Sequence, residues 1–320
     1  MRHFQTLGLL AIVSIALGSL RGDNSEQVIA KVPFDVHKAK GRAGGGGTPT
    51  ILYNGGPVLN QANVPIYVIY YGTGIGTGFP PTTENIINSF LEGLGGTPEF
   101  NVNTTYCDTN TTTCPGSGTS ISGLLAYPID LSHLFLDPGS QGASIGSNAI
   151  PRILQNAIKP TGSLPADNGA IYVLITAPTV KVSGFCTSFC AYHTRSTGII
   201  SGHTIHYALA PEPGSKCTAC DGNFAFGQST TPNGDPGADE VVDSLEHELS
   251  ETVTDPDLNA WFTSNGSENG DLCNYNYGDF NSLPKTTNTG ASYNASWGKY
   301  FYLIQLIWKN GTAPGCAAAP

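Results

Sequence analysis

The segment SLEHELSETVTDPDLNAW (244–261) sets His247, Glu248 and Glu251 in the pattern H-E-x-x-E. On a helix, residues four apart leave the same face about one turn from each other, so His247 and Glu251 can approach a common point. In H-E-x-x-H zinc peptidases the outer two residues grip the metal and the glutamate activates its water. Here Glu251 stands where the second histidine would be. A third ligand must come from beyond the helix, and NGSENGDLC (265–273) supplies Glu268 and Asp271. The expected metal set is His247, Glu251 and Glu268, with Glu248 as the general base of a metal-assisted hydrolysis, peptide being the first substrate class. Asp271, or Asp243 one turn before His247, is expected to orient the His247 ring through its second nitrogen. One imidazole and two carboxylates leave a divalent ion nearly neutral and its water weakly acidified. Zinc is the favoured ion, and the oxygen-rich set also admits calcium or manganese.

The competing explanation is an ordinary amphipathic helix. Ala238, Val241, Val242, Leu245, Leu249 and Val253 form an apolar stripe, and Glu240, Asp243, His247 and Glu251 fall opposite it, as on any solvated helix. Against this stands the absence of counter-charge. No Lys or Arg occurs between Lys216 and Lys285, while thirteen Asp and Glu do. A solvated helix ordinarily interleaves basic residues for i,i+4 support. Such an acidic stretch attracts cations and repels nucleic acid and anionic lipid.

The elements that must position these groups are legible in outline. VPIYVIYYG (64–72), AIYVLITAP (170–178) and TIHYALAP (204–211) are β-branched and aromatic runs expected as strands. TTENIINSFLEGL (82–94) reads as a helix capped by Thr82 or Thr83, and SNAIPRILQNAI (147–158) as a second. The third spans 238–254, between Asp235-Pro236 and Asp255-Pro256. Segments 101–123 and 263–293 read as loops. The class is α+β: a mixed sheet packed with a few helices, rich in loops.

Other chemistry-bearing residues carry less. His203 and His206, three apart in a strand, face opposite sides and cannot chelate together. His193 reads as a structural hydrogen-bonding histidine or a substrate-orienting one. Ser144 in GASIG lacks the strand that a nucleophile elbow needs immediately before it. Trp261, Tyr275 and Tyr277 either line a carbohydrate-binding cleft or pack loops.

The first residues carry a positive start and the apolar run LGLLAIVSIAL, expected to be a signal peptide (1–18) cleaved after Gly18. Residues 19–50 form a flexible basic and Gly-rich lead, and 51–320 the globular domain. No later stretch is long and apolar enough for a membrane span. Eight cysteines suit an oxidising compartment. Three local pairs (Cys107–Cys114, Cys186–Cys190, Cys217–Cys220) and one long tie (Cys273–Cys316) are expected, a four-cysteine zinc site being the alternative. Sequons at Asn103, Asn110, Asn265, Asn294 and Asn310 are candidate glycosylation sites.

GFCTSFCAYHTRS (184–196), the Cys217/Cys220 pair, KTTNTGASYNASWGKYFYLIQLIW (285–308) and Cys316 resemble the Exordium-like, phosphate-induced protein family. TGASYNA (289–295) with the cysteine frame is the most specific part, and the H-E-x-x-E segment is similar to its microbial-type members. The resemblance implies secretion, residence in the cell wall or extracellular matrix (the apoplast of a plant), and association with growth and expansion. Its implied partners are an extracellular protein or a wall polysaccharide, making a non-catalytic matrix protein the alternative to a hydrolase. The order of strand, cleft-edge strand and H-E helix also looks zincin-like, which is an analogy of fold and not of activity.

Overall fold

The computed structural model describes residues 50–320 apart from 110–113, 115–117, 129, 131, 159–162 and 215. The expected signal peptide and nearly all of the lead lie outside the described residues, as does Asn110.

The apolar runs form the centre of a mixed six-stranded sheet. β1 (Val64–Tyr71) pairs in parallel with β2 (Leu134–Asp137), with the two-residue strand Leu125–Ala126, and with β3 (Ile171–Thr176). β3 pairs in parallel with β5 (Thr204–Pro211), and β4 (Tyr192–Thr197) closes the edge antiparallel to β5. β1 and β3 are almost wholly buried, which is why their sequences are continuous rather than alternating in polarity. Helix α1 is Pro81–Leu94, α2 is Ile150–Ile158 and α3 is Pro236–Thr254. α2 packs on β1 and β2, while α3 packs on β5, β4 and α1. Strand and helix alternate through the first half around the expected mixed sheet, so the architecture is a mixed α/β one.

Neither threonine caps α1. Pro80 occupies the cap position and Pro81 opens the helix, while Thr83 donates instead to Asp235 Oδ2 at 2.7 Å. That bond joins the starts of α1 and α3, because Asp235 is itself the N-cap of α3 and accepts from the Ala238 N–H. Residues 147–149 form a 3₁₀ turn, not the start of α2.

Two of the four expected disulfides pair as expected, Cys107–Cys114 and Cys273–Cys316. The two short loops do not close on themselves: Cys186 pairs with Cys217 and Cys190 with Cys220. Each crosses about thirty residues, where chain-entropy arguments give about 3.7 kcal/mol of stabilisation. The cross-linking fastens the approach to β4 onto the segment leading into α3, and it leaves no cysteine for the alternative zinc site. Three aromatic residues considered for a sugar cleft are buried. Trp261 Nε1 donates to Cys107 O, Tyr275 OH to Ala219 O and Tyr277 OH to Asp243.

Of the candidate glycosylation residues, Asn103 lies inside the fold. Its side chain is fully buried, and its Nδ2 donates to Phe100 O and Ser250 Oγ at 3.0 Å each. Asn294 Nδ2 is committed to Ile304 O, and Asn310 Nδ2 is buried. Asn265 is exposed.

Candidate metal centre

Helix α3 has no wet side. Every residue from Gly237 to Thr254 is buried, including six carboxylates and His247. A helix buried all round is ordinarily apolar all round, and this departure defines the site. The apolar stripe Ala238, Val241, Val242, Leu245, Leu249 and Val253 joins the main core. The polar side is covered by segments distant in sequence: residues 102–105, the 268–277 loop and the C-terminal stretch around Tyr302 and Gln305. The solvated-helix explanation is therefore incorrect here. The amphipathic pattern faces a second, polar interior.

In the first half of α3 the acidic groups have local donors. Asp239 accepts from Asn233 N and Nδ2 at 2.9 and 2.5 Å. Asp243 accepts from Tyr277 OH at 2.5 Å and from Gln305 N at 2.8 Å. Glu240 accepts from Ser244 Oγ at 3.0 Å. Burial nevertheless pushes Asp239 and Asp243 up to about 7, with these hydrogen bonds opposing it. Asp243 thus serves Tyr277 and the backbone of Gln305 and does not orient the His247 ring.

The second half converges on Glu251. Its Oε1 lies 3.0 Å from His247 Nε2, and its Oε2 lies 3.5 Å from His193 Nε2. His193 reaches the site from β4, the antiparallel edge strand that packs on α3. Glu268 meets His193 at 3.1 Å, while Asp271 stands 3.9 Å from His247 Nε2. The sequence-based set of His247, Glu251 and Glu268 is thus rearranged: Asp271 occupies the His247 side and Glu268 the His193 side. Asp271, expected at the second ring nitrogen, faces the first. The cause is the turn at Gly270, which packs so closely that a Cβ there would lie 2.9 Å from the His247 ring and 3.0 Å from Glu251 Oε1. The chain crosses over His247 and delivers the residues before and after the glycine to different imidazoles. Asp271 N–H also donates to Glu251 Oε1 at 3.0 Å.

The group at the other His247 nitrogen is Gln305, whose Nε2 lies 2.7 Å from Nδ1 and donates to Gly270 O at 3.3 Å; when Nδ1 carries a proton, the amide must turn its oxygen to that nitrogen. Burial opposes charge on His247, but the Glu251 carboxylate overrides it and raises the imidazole to about 10. Burial likewise works to raise Glu251, and His247 outweighs it, holding the carboxyl below its ordinary value. His193 is lowered to about 4 by burial, against the pull of Glu251, and is neutral. Desolvation keeps Glu248 and Glu268 well above the usual carboxylate range. Neither oxygen of Glu248 receives a well-formed hydrogen bond, the His193 backbone amide only softening its charge, and Glu268 Oε1 has no partner.

The ligand atoms of His247, Glu251 and Asp271 lie within 4.8 Å of one another, as do those of His193, Glu248 and Glu251. Tetrahedral zinc with bonds near 2.0–2.1 Å would separate its ligand atoms by about 3.3–3.4 Å, and the contacts of 3.0, 3.1, 3.5 and 3.9 Å bracket that value. The donor types and spacing therefore fit a divalent ion. The two other candidate histidines lie elsewhere: His206 Nε2 contacts Asp257, which also binds Arg195, and His203 Nδ1 contacts Asn168.

Sequence reasoning missed His193 as a member of this cluster. Its one signal was its place in a short β-rich run directly after two cysteines, which fixes a strand but says nothing of what lies across it.

Comparison with known proteins accounts for the shared frame. The phosphate-induced protein 1 conserved region matches residues 51–318. The chain is 26% identical over 283 residues to Protein EXORDIUM-like 3 of Arabidopsis thaliana, covering 81% of this chain and 80% of that protein. It is 27% identical over 282 residues to Protein EXORDIUM-like 5 of the same plant, covering 81% and 75%. Against Protein PHOSPHATE-INDUCED 1 of Nicotiana tabacum it is 31% identical over 164 residues, covering 45% and 52%. No solved structure matches. With the conserved region running through the sheet, α3 and the cysteine frame alike, the chain belongs to the phosphate-induced protein 1, or Exordium-like, family.

Proposed function

We propose that this is an exported extracellular protein whose interior is organised around a divalent metal, zinc by preference, held by His247, Glu251 and Asp271. The observation that carries this reading is the convergence of two imidazoles on one carboxylate inside a helix buried along its whole length. No Lys or Arg between residues 216 and 285 is available to neutralise its acids. Burying unpaired carboxylates is costly, and a coordinated cation is the usual compensation. Imidazole with carboxylates suits zinc over calcium, with manganese between them.

The same burial supports a structural ion. Closed sites with every ligand covered hold folds together, whereas catalytic sites keep an open position. Among the site residues Asp271 is the most accessible, at 9%. This favours a non-catalytic matrix protein that presents its outer surface to an extracellular protein or wall polysaccharide. The hydrolase reading rests on Glu248, which lies beside His193 and Glu251 without a well-formed hydrogen bond. In that reading Glu248, once ionised, would take the proton of a water that an ion bound at His247 would acidify. Elemental analysis of the purified full-length protein tests the metal. At least one zinc or manganese per chain is expected, and a His247→Ala protein that keeps all of it removes the assignment. A Glu248→Gln protein that keeps the ion at His247 but loses peptide hydrolysis would establish catalysis.

A further inference from the structure

Glu251 does not simply complete one ligand set; it faces two. Its Oε1 belongs with His247 Nε2 at 3.0 Å and Asp271 Oδ1, and its Oε2 with His193 Nε2 at 3.5 Å. On the second side Glu268 Oε2 adds a contact to His193 at 3.1 Å, and Glu248 comes within 4.8 Å of both His193 and Glu251. We propose that the centre is dinuclear, with the Glu251 carboxylate bridging to a second divalent ion held by His193 and Glu248, with Glu268 beside His193. The proposal rests on the metal reading above and extends it to the His193 side.

Two divalent ions would balance the carboxylates of Glu248, Glu251, Glu268 and Asp271 once their protons are displaced, with the imidazoles neutral as ligands. The second position also has an independent mark. Glu268, with its side chain only 6% exposed, turns Oε2 to His193 and leaves Oε1 without any partner. A buried carboxylate oxygen in that state ordinarily has a donor or a cation beside it. The two oxygens of one bridging carboxylate match two-metal sites, whose ions sit about 3.5–4 Å apart.

The test is the metal-to-protein ratio of the full chain after saturation with zinc and removal of loose ions. Two per chain is expected. One per chain overturns the second position and leaves the single-ion reading standing, and none removes both. In His193→Ala and His247→Ala proteins the ratio should fall from two to one, and a His193→Ala protein that still binds two contradicts the proposal. Manganese gives a readout independent of whether variants fold well. The wild-type protein loaded with Mn(II) should show the broadened, exchange-coupled resonance of a pair. A simple six-line spectrum at full loading would overturn the proposal.

Discussion

The two halves of α3 solve the same problem by different means. Around Asp239, Glu240 and Asp243 the chain brings amides and hydroxyls to each acid, from Asn233, Ser244, Tyr277 and the backbone of Gln305. Around Glu251 it brings imidazoles and further acids, from β4 and the Gly270 turn. A carboxyl surrounded by donors can stay buried alone. Carboxyls surrounded by one another and by imidazoles are arranged for a cation. The lesson is that burial of acids is not by itself a sign of metal; the chemistry of what faces them is.

The comparison breaks most sharply at Glu251. Glu251→Ala removes the group common to both imidazoles and strands a buried His247, so a loss of about 3–5 kcal/mol is expected by chemical denaturation. Metal content should fall with it. The first half should respond to pH instead. Asp239, raised to about 7 by burial against the pull of its hydrogen bonds, binds a proton more tightly folded than unfolded, where carboxyls titrate near 4. Its contribution is complete below about pH 4 and is lost as pH rises through 7. Asp243, also raised to about 7 by burial, adds in the same direction. Chelator-treated protein should therefore lose stability between pH 4 and 7, as read by denaturant titration. The first-half share of that slope should persist when metal is restored.

Smaller substitutions sharpen the contrast. Tyr277→Phe deletes the hydrogen bond to Asp243 and should cost about 1.5–3 kcal/mol without changing metal content by elemental analysis. Gln305→Met withdraws the partner of His247 Nδ1 and should weaken metal affinity about 10–100-fold in a competition titration. Its effect on the stability of the chelated protein should be the smaller one. If Tyr277→Phe lost metal as readily as Gln305→Met, the two halves would be one network and the distinction drawn here would fail.

Much of the frame was legible because it depends on short-range pattern. The runs at 64–72, 170–178 and 204–211 became strands at nearly those limits, and the prolines at 236 and 256 bracket α3. His247 and Glu251 were legible as a pair because helical spacing alone brings them together. What covered them was not. The helical wheel separates apolar from polar but cannot say whether the polar side meets water or another part of the chain. The answer came from Gly270, Tyr277 and Gln305, 19 or more residues away. His193 was hidden for the same reason, lying 58 positions before Glu251, its acidic partner on the helix face. The cysteine pairing failed where two equally close partners competed: local spacing favours Cys186–Cys190, and only the approach of the 217–220 segment to β4 reverses it.

Thermal melting of the purified full-length protein, before and after treatment with a chelator and again after zinc is restored, tests the need for a cation most directly. A fall in Tm of roughly 5–10 °C that zinc reverses is the expected result, given a tightly bound ion and a chain of this size. Superimposable melting curves from a protein that holds no metal as purified would contradict it, and would make the cluster around Glu251 a self-sufficient network of protonated acids and imidazoles.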